Sequence, residues 1–531
     1  MPANIRKALA ADAPKWIDLV KATLGEDYPD KQVYDPAWVA SQFAPGADVE
    51  TWVADAGARL TASISFLPPQ AGNNNPVANV GRHMNRPEAY ADGTASALLV
   101  KLSELALERK QILIARVLAA DNQSQILHEQ AGFICAGFQP FKHMLRRREG
   151  VLFYYRLGRP DFVKRLPISD SLPQISELAA TVLNALDLGE PAKVRDGATG
   201  YPLQTELKVT EVTLDDFELW RMQAQSFNPP IEVSGFYNQG LGYFRTPGNV
   251  APHALLAQRE GKYVAGVAFV FDEIDRCLRL VDSFSQDDLS MGALFHHLSK
   301  MAQAQLNAVY IEVDILMTAP RLLKAAEQLG FVPIAYLPAI FTKENAQADV
   351  VKMIKLNMVY SNENTALTTQ AKKVADIIEN NFQDQKVGVA IINLLRGLPF
   401  FEGLGDGELR KIARLFTQKL YRPGERVFNK GDSGNEAYVV MRGQIDILLE
   451  EGAKPIANVT NGQILGEMAF LDPSPRTAVA IANQASILLV IQRTAFSDLV
   501  QHEPHLGMVV MRNIAIELTN RFRKSQAAPK K

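Results

Sequence analysis

The sequence has very little cysteine: Cys135 and Cys277 are its two cysteines, and they do not form a CxxC pair. A disulfide framework and a cysteine-rich zinc site are therefore not expected, and no other metal site is predicted. No window approaches the roughly 18 consecutive apolar residues that a membrane-spanning helix needs. The N-terminus, MPANIRKALAADAPKW, lacks the apolar core of a secretion signal. We expect a cytoplasmic protein without a membrane segment.

An excess of charge of one sign is also missing. The 56 Lys and Arg residues nearly balance the 58 Asp and Glu residues, which gives a formal net charge of −2. This balance argues against a chain that coats nucleic acid or an anionic membrane. The last residues, RFRKSQAAPKK, are basic but too few for a helix-turn-helix, so no DNA-binding domain is expected.

The length of 531 residues predicts about three or four domains at roughly 150 residues each. Two stretches are typical of connectors. Residues 161–204 contain several prolines around a predicted helix, Ile175–Leu188, and residues 361–394 contain apolar residues at helical spacing, among them Val374 and Ile378. Three predicted domains remain, at 1–160, 205–360 and 395–531.

The first two segments share a layout. Each begins with a short strand and a helix, and each continues through β-rich sequence to a helix that ends in Gly-Phe, in LHEQAGF at 127–133 and KAAEQLGF at 324–331. This pattern predicts a duplicated α/β unit. The third segment has short β-rich runs separated by glycines, which is typical of a small barrel or sandwich.

The sharpest motif is NGQILGEMAFLDPSPRTAVAIA, at 461–482. Backbone N–H groups at the start of the short turn after Gly466 can point at a phosphate, and Arg476 adds a planar, permanently charged donor. Glu467 has the wrong charge for a phosphate and suits a ribose hydroxyl. The motif therefore predicts a compact nucleotide site.

These residues resemble the phosphate-binding cassette of cyclic nucleotide-binding domains, and LLRGLPFFEGLGDGELRKIARLF resembles the helices that precede the β-roll of that family. The resemblance implies a pocket lined by Gly466, Glu467, Met468, Ala469, Arg476 and Thr477. Glu467 would bind the ribose 2′-hydroxyl, and Arg476 and Thr477 the cyclic phosphate. Thr477 is compatible with cAMP and with cGMP; cAMP is favoured.

A second motif, YADGTASALL, begins at Tyr90 and opens a helix. Its loop (Asp92, Gly93, Thr94, Ala95, Ser96) can present backbone N–H groups to a pyrophosphate, because Gly93 and Ala95 leave room for close approach. By itself such a loop is a weak signal. The strand ILIARVLAADN and the helix QSQILHEQAGF follow it in order.

This ordered set resembles the GNAT-type acetyltransferase fold. The resemblance implies acetyl-CoA as cosubstrate, bound by the loop and by Asn122, the residue that opens the following helix. His128 stands where the family often has a tyrosine that protonates the leaving thiolate, and imidazole can serve as a general acid. Glu88, Asp92 and His83 are candidates for the general base. Tyr90 departs from the family, which has Gln or Arg at that position.

The second unit departs further. Pro320 and Ala326 stand at the positions of Asn122 and His128, and Asp287 and Asp288 lie in the loop before its first long helix. Carboxylates there would repel CoA phosphates. We interpret residues 205–360 as a degenerate copy without its own chemistry.

The predicted fold class is two GNAT-like α/β domains followed by a cyclic nucleotide-binding β-roll. The predicted function is a cyclic nucleotide-regulated, acyl-CoA-dependent N-acyltransferase whose acceptor is an amine, for example a lysine of a protein. The alternative is a non-enzymatic cyclic nucleotide sensor whose GNAT-like domains form a scaffold. The sequence is compatible with a homo-oligomer and leaves the sign of regulation open.

Overall fold

A computed structural model describes most of the chain, and the described residues form two compact units, 1–381 and 382–531. The described residues are 3–47, 49–67, 77–109, 112–158, 164–168, 171–189, 199–225, 232–233, 250, 252–343, 346–358, 360, 365–387, 389–470 and 474–527. Parts of both predicted connectors, 161–204 and 361–394, lie outside these ranges.

The first half of the first unit contains seven described strands and five described α-helices. The strands are β1 (Asn4–Lys7), β2 (Glu50–Asp55), β3 (Leu60–Leu67), β4 (Val77–Asn85), β5 (Ile112–Leu118), β6 (Ile134–Met144) and β7 (Arg148–Leu157). The helices are α1 (Ala13–Leu24), α2 (Pro36–Gln42), α3 (Pro87–Ala91), α4 (Thr94–Leu107) and α5 (Asn122–Gln130). Helix α6 (Pro173–Ala185) follows in the first predicted connector.

The second half repeats this order with fewer helices among its described residues. Its described strands are β8 (Lys208–Val212), β9 (Pro252–Arg259), β10 (Lys262–Asp272), β11 (Cys277–Ser285), β12 (Tyr310–Leu316), β13 (Val332–Lys343) and β14 (Ala346–Leu356). Its helices are α7 (Leu214–Gln225), α8 (Ser290–Ala304) and α9 (Pro320–Gln328). Helix α10 (Thr369–Val387) begins in this unit and ends in the second one.

All these strands form one sheet in the described part of the chain, in the order β1-β2-β3-β4-β5-β7-β6-β13-β14-β12-β11-β10-β9-β8. Counted from its outer edge, each half has the same strand order, and in each half one pair is parallel: β4 with β5, and β11 with β12. The repeat that the sequence predicts is therefore present at the level of topology.

The two Gly-Phe pairs end equivalent helices in the same way. The Phe133 N–H donates to the His128 carbonyl at 3.0 Å and the Gly132 N–H to the Glu129 carbonyl at 3.0 Å. Phe331 and Gly330 repeat both bonds after α9, each at 2.9 Å. Both glycines have positive φ, +80° and +87°, as this helix-ending motif requires.

The halves meet where β6 pairs with β13 through Gly137 and Ala335. A Cβ on Gly137 would lie 2.2 Å from the Ala335 Cβ and 2.5 Å from the Ile334 carbonyl oxygen. Only glycine therefore allows the two backbones to approach this closely.

A buried ion pair crosses the same junction. Lys142 of the first half donates to the carboxylate of Glu312 in the second at 2.9 Å, and both side chains are fully buried. Nearby, His143 contacts the Asp275 carboxylate at 2.9 Å. Loss of one partner of such a pair leaves an uncompensated buried charge. These contacts therefore tie the two halves to one relative arrangement.

The second unit is a β-roll with helices at both ends of its sequence. Its described strands are β15 (Phe416–Tyr421), β16 (Arg426–Phe428), β17 (Glu436–Arg442), β18 (Gln444–Leu448), β19 (Ala457–Thr460), β20 (Ile464–Leu465), β21 (Val479–Ala482) and β22 (Ser486–Gln492). They form two antiparallel sheets, with the strand orders β15-β22-β17-β20 and β16-β21-β18-β19. The helices are α11 (Val389–Arg396), α12 (Asp406–Ala413), α13 (Arg493–His502) and α14 (Pro504–Ala527). Apolar residues of helices and roll share a core.

Within the described ranges, no helix combines the length and the hydropathy that crossing a membrane requires. Both cysteines are free and buried.

Candidate functional site

The predicted nucleotide motif forms a tight corner of the β-roll. Gly466 follows β20 with a positive φ of +75°, and a one-turn 3₁₀ helix, Glu467–Phe470, begins directly after it. A Cβ on Gly466 would lie 2.6 Å from Nη1 of Arg476 and 3.2 Å from the Glu436 carbonyl oxygen. Glycine is therefore required here both for the backbone conformation and for the approach of the arginine.

The Arg476 side chain lies against this corner. Its Nη2 donates to the Glu436 carbonyl at 2.5 Å, and its Nη1 donates to the Gly466 carbonyl at 3.3 Å. Its backbone is fixed as well, because its N–H donates to the Asp432 carbonyl and its own carbonyl accepts from the Gly431 N–H. Strands β17 and β20 and the turn before β17 thus place one guanidinium beside the Gly466 turn.

The charge of Arg476 is balanced by no carboxylate within ion-pair distance in the described part of the chain. Its hydrogen bonds go to neutral carbonyls, and its buried Nε has no partner among the described residues. The guanidinium lies over the rings of Phe428, at 4.4 Å, and Tyr438, at 5.8 Å. A half-buried cation held by neutral groups is suited to an anionic ligand.

The other predicted pocket residues are neighbours in the chain of Gly466 or of Arg476. Glu467 is 6% exposed, whereas Met468 is 59% exposed. Ala469 lies within the 3₁₀ helix, and Thr477 follows Arg476 with an exposed side chain. The structure therefore brings Gly466 and Arg476 into contact, with Glu467 and Thr477 next to them in the chain.

The carboxylate of Glu436 supports the same corner. It accepts hydrogen bonds from the Tyr438 hydroxyl and from Nε2 of Gln492, and Lys419 lies 3.5 Å away. Burial opposes ionisation, but these donors outweigh it and lower the pKa of Glu436 below its usual range. Glu436 therefore stays ionised and fixed, while its backbone carbonyl holds Arg476.

In the first half, the predicted pyrophosphate loop lies at the N-terminus of α4. Gly93 is its N-cap with a φ of +78°, and the space in its Cβ direction is open. The Asp92 carboxylate accepts from the Thr94 N–H at 2.9 Å, and the Thr94 hydroxyl together with this N–H lowers the pKa of Asp92. Ala95 is buried and Ser96 is half-buried. A phosphate at this terminus would have to displace the Asp92 carboxylate, because both are acceptors for the same N–H group.

The adjoining strands open at this end of the sheet. Parallel pairing joins Val77–Val80 of β4 to Ile112–Ala115 of β5, whereas β4 continues to Asn85 and β5 to Leu118. In the second half, the same kind of parallel pairing joins Cys277–Leu280 to Tyr310–Val313. Both halves therefore have a cleft between diverging parallel strands.

His128 lies inside the first half, with 1% of its surface exposed. Its Nδ1 lies 2.7 Å from the Ser124 carbonyl, which can only accept, so Nδ1 bears the proton. Burial lowers the pKa of His128 to about 4. The neutral ring packs 5.4 Å from the ring of His83, whose pKa burial lowers to about 3. Neither ring matches the near-neutral pKa on which the predicted acid–base roles were based.

Tyr90 bridges α3 to α5 instead of facing the loop. Its hydroxyl lies 2.9 Å from Oγ of Ser124 and 3.4 Å from the Asp121 carboxylate, and the Asn85 amide donates to it at 3.3 Å. Burial, together with the negative charge of Asp121, raises the pKa of Tyr90. Sequence inspection missed this network because its residues come from three separate segments.

The remaining predicted site residues of the first half form contacts within the fold. Glu88 forms an ion pair with Arg59 at 2.7 Å near the surface. Asn122 begins α5, and its Nδ2 donates to the Ala366 carbonyl at 3.3 Å. These two residues and the α4 loop lie on separate elements.

The second half closes its own cleft. Val233 bridges Ile315 of β12, and the Leu316 N–H donates to the Glu232 carbonyl at 2.9 Å. The Glu232 carboxyl accepts from the Tyr201 hydroxyl at 2.6 Å, and burial raises its pKa to about 7. No sequence signal indicated this cluster.

The two acidic residues in the second half's loop are not unpaired charges. Asp287 forms an ion pair with Arg259 at 2.9 Å, and Asp288 forms one with Arg321 at 2.8 Å. Asp287 also accepts from the Leu289 N–H at 2.8 Å, much as Asp92 does in the first half. The loop that is predicted to repel phosphates thus has arginines beside its carboxylates. The clearer difference between the halves is the bridge from Val233 to β12, which closes the cleft of the second half.

Comparison with known proteins identifies the class of the second unit. Residues 418–503 match the family model of the cyclic nucleotide-binding domain, so the C-terminal part of the chain contains such a domain. The chain is 30% identical over 134 residues to the cyclic AMP receptor protein of Thermus thermophilus, which covers 25% of this chain and 60% of the relative. It is 29% identical over 107 residues to a cAMP-dependent protein kinase regulatory subunit of Colletotrichum orbiculare, covering 20% of this chain and 27% of the relative.

These matches leave much of each protein outside the comparison, because the chain spans between 27% and 60% of the length of the two curated relatives. Among solved structures, the Thermus thermophilus catabolite activator protein is 30% identical, with 24% of this chain and 60% of that chain covered and a TM-score of 0.22. A cyclic nucleotide-binding domain from Methylobacillus flagellatus is 26% identical, with 27% and 81% covered and a TM-score of 0.25.

Proposed function

We propose that the C-terminal domain binds a cyclic nucleotide, with cAMP as the first choice, and that this binding regulates the first unit. The environment of the Arg476 guanidinium gives this proposal its main support. It is held in place by the carbonyls of Glu436 and Gly466, yet in the described part of the chain no carboxylate neutralises it. A cyclic phosphate would supply the missing negative charge.

The rest of the pocket supports the same ligand class. Glu467 follows Gly466 at the start of the 3₁₀ helix, and its low exposure suits a carboxylate that accepts from a ribose hydroxyl. The names of both curated relatives mention cyclic AMP or dependence on cAMP, which favours adenine over guanine.

Isothermal titration calorimetry of the full chain with cAMP and with cGMP tests this proposal. Loss of one charge-assisted contact to phosphate costs about 1.5–3 kcal/mol, so Arg476→Gln is expected to weaken cAMP binding at least about tenfold. Arg422→Gln removes an exposed arginine of the same domain and is the matched control. Equal affinity of wild type and Arg476→Gln would show that the phosphate does not bind at this arginine.

For the first unit we propose acyl-CoA-dependent N-acyl transfer to an amine, such as a protein lysine, as a second candidate function. The divergence of β4 and β5 after Val80 and Ala115 supports it, because this is where the predicted cofactor would lie. The open space at Gly93 also fits. The Asp92 carboxylate at the start of α4 and the neutral ring of His128 favour the alternative, a non-enzymatic sensor with a scaffold.

Calorimetry with acetyl-CoA, with and without saturating cAMP, separates these alternatives. Binding of acetyl-CoA that Gly93→Trp abolishes would support acyl transfer. The absence of acetyl-CoA binding under both conditions would leave the sensor interpretation.

A further inference from the structure

A short segment, residues 365–370, lies against the first half and includes the first two residues of α10; we call it the strap. Its Ala366 N–H donates to the Ala119 carbonyl at 2.8 Å, just after β5 ends. The Ala366 carbonyl accepts from Nδ2 of Asn122 at 3.3 Å and from Nε2 of Gln125 at 3.0 Å. One residue of the strap therefore donates to the β5–α5 connection and accepts from the first turn of α5.

Gln125 is the central contact. It is fully buried, and its Nε2 also donates to the Ala119 carbonyl at 3.2 Å. Its Oε1 accepts from the Thr368 N–H at 3.0 Å. One side chain of α5 thus binds two residues of the strap, with both ends of its amide in use.

Thr368 joins the strap to α10. Its Oγ1 accepts from the Ala371 N–H at 3.2 Å, which makes Thr368 the N-cap of α10. The same hydroxyl donates to the Glu129 carboxylate at 2.5 Å, and the Tyr154 hydroxyl donates to the same carboxylate oxygen at 2.8 Å. The Tyr154 ring lies 5.7 Å from the ring of His128. The start of α10 is therefore tied to the end of α5.

A further bond fixes the strap at its other end. Oε1 of Gln370 accepts from the Cys135 N–H at 2.8 Å, at the start of β6. Helix α10 then continues to Val387, and its residues from Phe382 onward belong to the second unit. Along the chain, the strap runs directly into the helix that leads to the cyclic nucleotide-binding domain.

We propose that the strap couples the cyclic nucleotide site to the β5–α5 region of the first half. This inference rests on the proposed binding of cAMP. Cyclic nucleotide binding changes how firmly residues 365–370 are held, and Gln125, Thr368 and Glu129 are the residues through which α5 responds. Since coupling free energies are reciprocal, loosening the strap must also change the affinity for cAMP.

The strap also occupies a group that a ligand of the first half would need. The Asn122 amide, which the predicted cofactor would use, is engaged by the Ala366 carbonyl. Docking of the strap and use of that amide by a ligand exclude each other unless the amide shifts. Release of the strap is thus a step by which the second unit regulates the first.

Hydrogen–deuterium exchange of the full chain, with and without saturating cAMP, tests the coupling directly. We expect the exchange rates of peptides covering 119–130 and 365–372 to change together, by about fivefold or more. Unchanged exchange in either peptide, at a cAMP concentration that calorimetry shows to saturate the protein, would overturn the coupling and leave cAMP binding intact. Failure of the wild type to bind cAMP would overturn both proposals.

A variant provides the reciprocal measurement. Thr368→Val removes the hydroxyl that joins α10 to Glu129, and the coupling predicts a change of about fivefold or more in the Kd for cAMP. Lys372→Ala, which removes an exposed ion pair with Asp376 one turn further along α10, is the matched control and should leave the Kd unchanged. The same Kd in wild type and Thr368→Val, or an equal change in Lys372→Ala, would contradict the role of the strap.

Discussion

The guanidinium of Arg476 lies 4.4 Å from the ring centroid of Phe428. Phe428 ends β16, and Arg476 precedes β21, which pairs with β16. The aromatic face attracts the cation without neutralising it, so the arginine is held in place and keeps its net charge. Phe428 is thus a positioning residue for the proposed phosphate contact.

Phe428→Leu keeps an apolar side chain but removes the aromatic face. Because a partly buried cation–π contact is worth about 0.5–2 kcal/mol, we expect cAMP to bind roughly 2- to 30-fold more weakly. Calorimetry measures the Kd, and the melting temperature without ligand reports any loss of folding. Unchanged affinity at an unchanged melting temperature would show that the hydrogen bonds alone position Arg476.

His128 and His83 of the first half should not titrate near neutral pH. Burial lowers the pKa of His128 to about 4 and that of His83 to about 3. We expect their imidazole NMR signals, assigned with His128→Gln and His83→Gln, to stay constant from pH 8 down to about pH 5.5. A midpoint between pH 6 and 7 for His128 would contradict this and restore the predicted general-acid role.

Glu232 should make the first unit less stable as pH rises. Burial raises its pKa to about 7 from 4.5, so between these values the folded protein binds more protons than the unfolded chain. Stability therefore falls as pH increases through this window and stays low above it. The penalty is on the order of 3 kcal/mol by linkage.

Glu232→Gln keeps an acceptor for the Tyr201 hydroxyl and removes the ionisation. In urea unfolding at pH 5 and pH 8, we expect the variant to lose less stability than the wild type as pH increases. Glu260→Gln, at an exposed glutamate of the same half, should behave like wild type. An identical pH dependence for Glu232→Gln and wild type would contradict the assignment.

Several local features followed from the sequence because short-range chemistry determines them. The Gly-Phe pairs at 132–133 and 330–331 end helices, Asn122 begins one, and Gly466 has the positive φ that its turn needs. The helix predicted at Ile175–Leu188 is present as Pro173–Ala185. The resemblance of the C-terminal segment to cyclic nucleotide-binding domains is confirmed for residues 418–503. The acyltransferase interpretation of the first unit stays a prediction.

The spacing of Gly466, Glu467 and Arg476 by itself predicted a compact phosphate site. The balanced composition is compatible with that prediction, because such a site needs one arginine and a turn and no excess of basic residues. Only the tertiary structure decided which charges are compensated. It pairs Asp287 and Asp288 with arginines, leaves Arg476 among neutral carbonyls and aromatic rings, and buries His128. The physical reason is that pKa values and net charges depend on burial and on partners distant in the chain, which no local pattern of residues specifies.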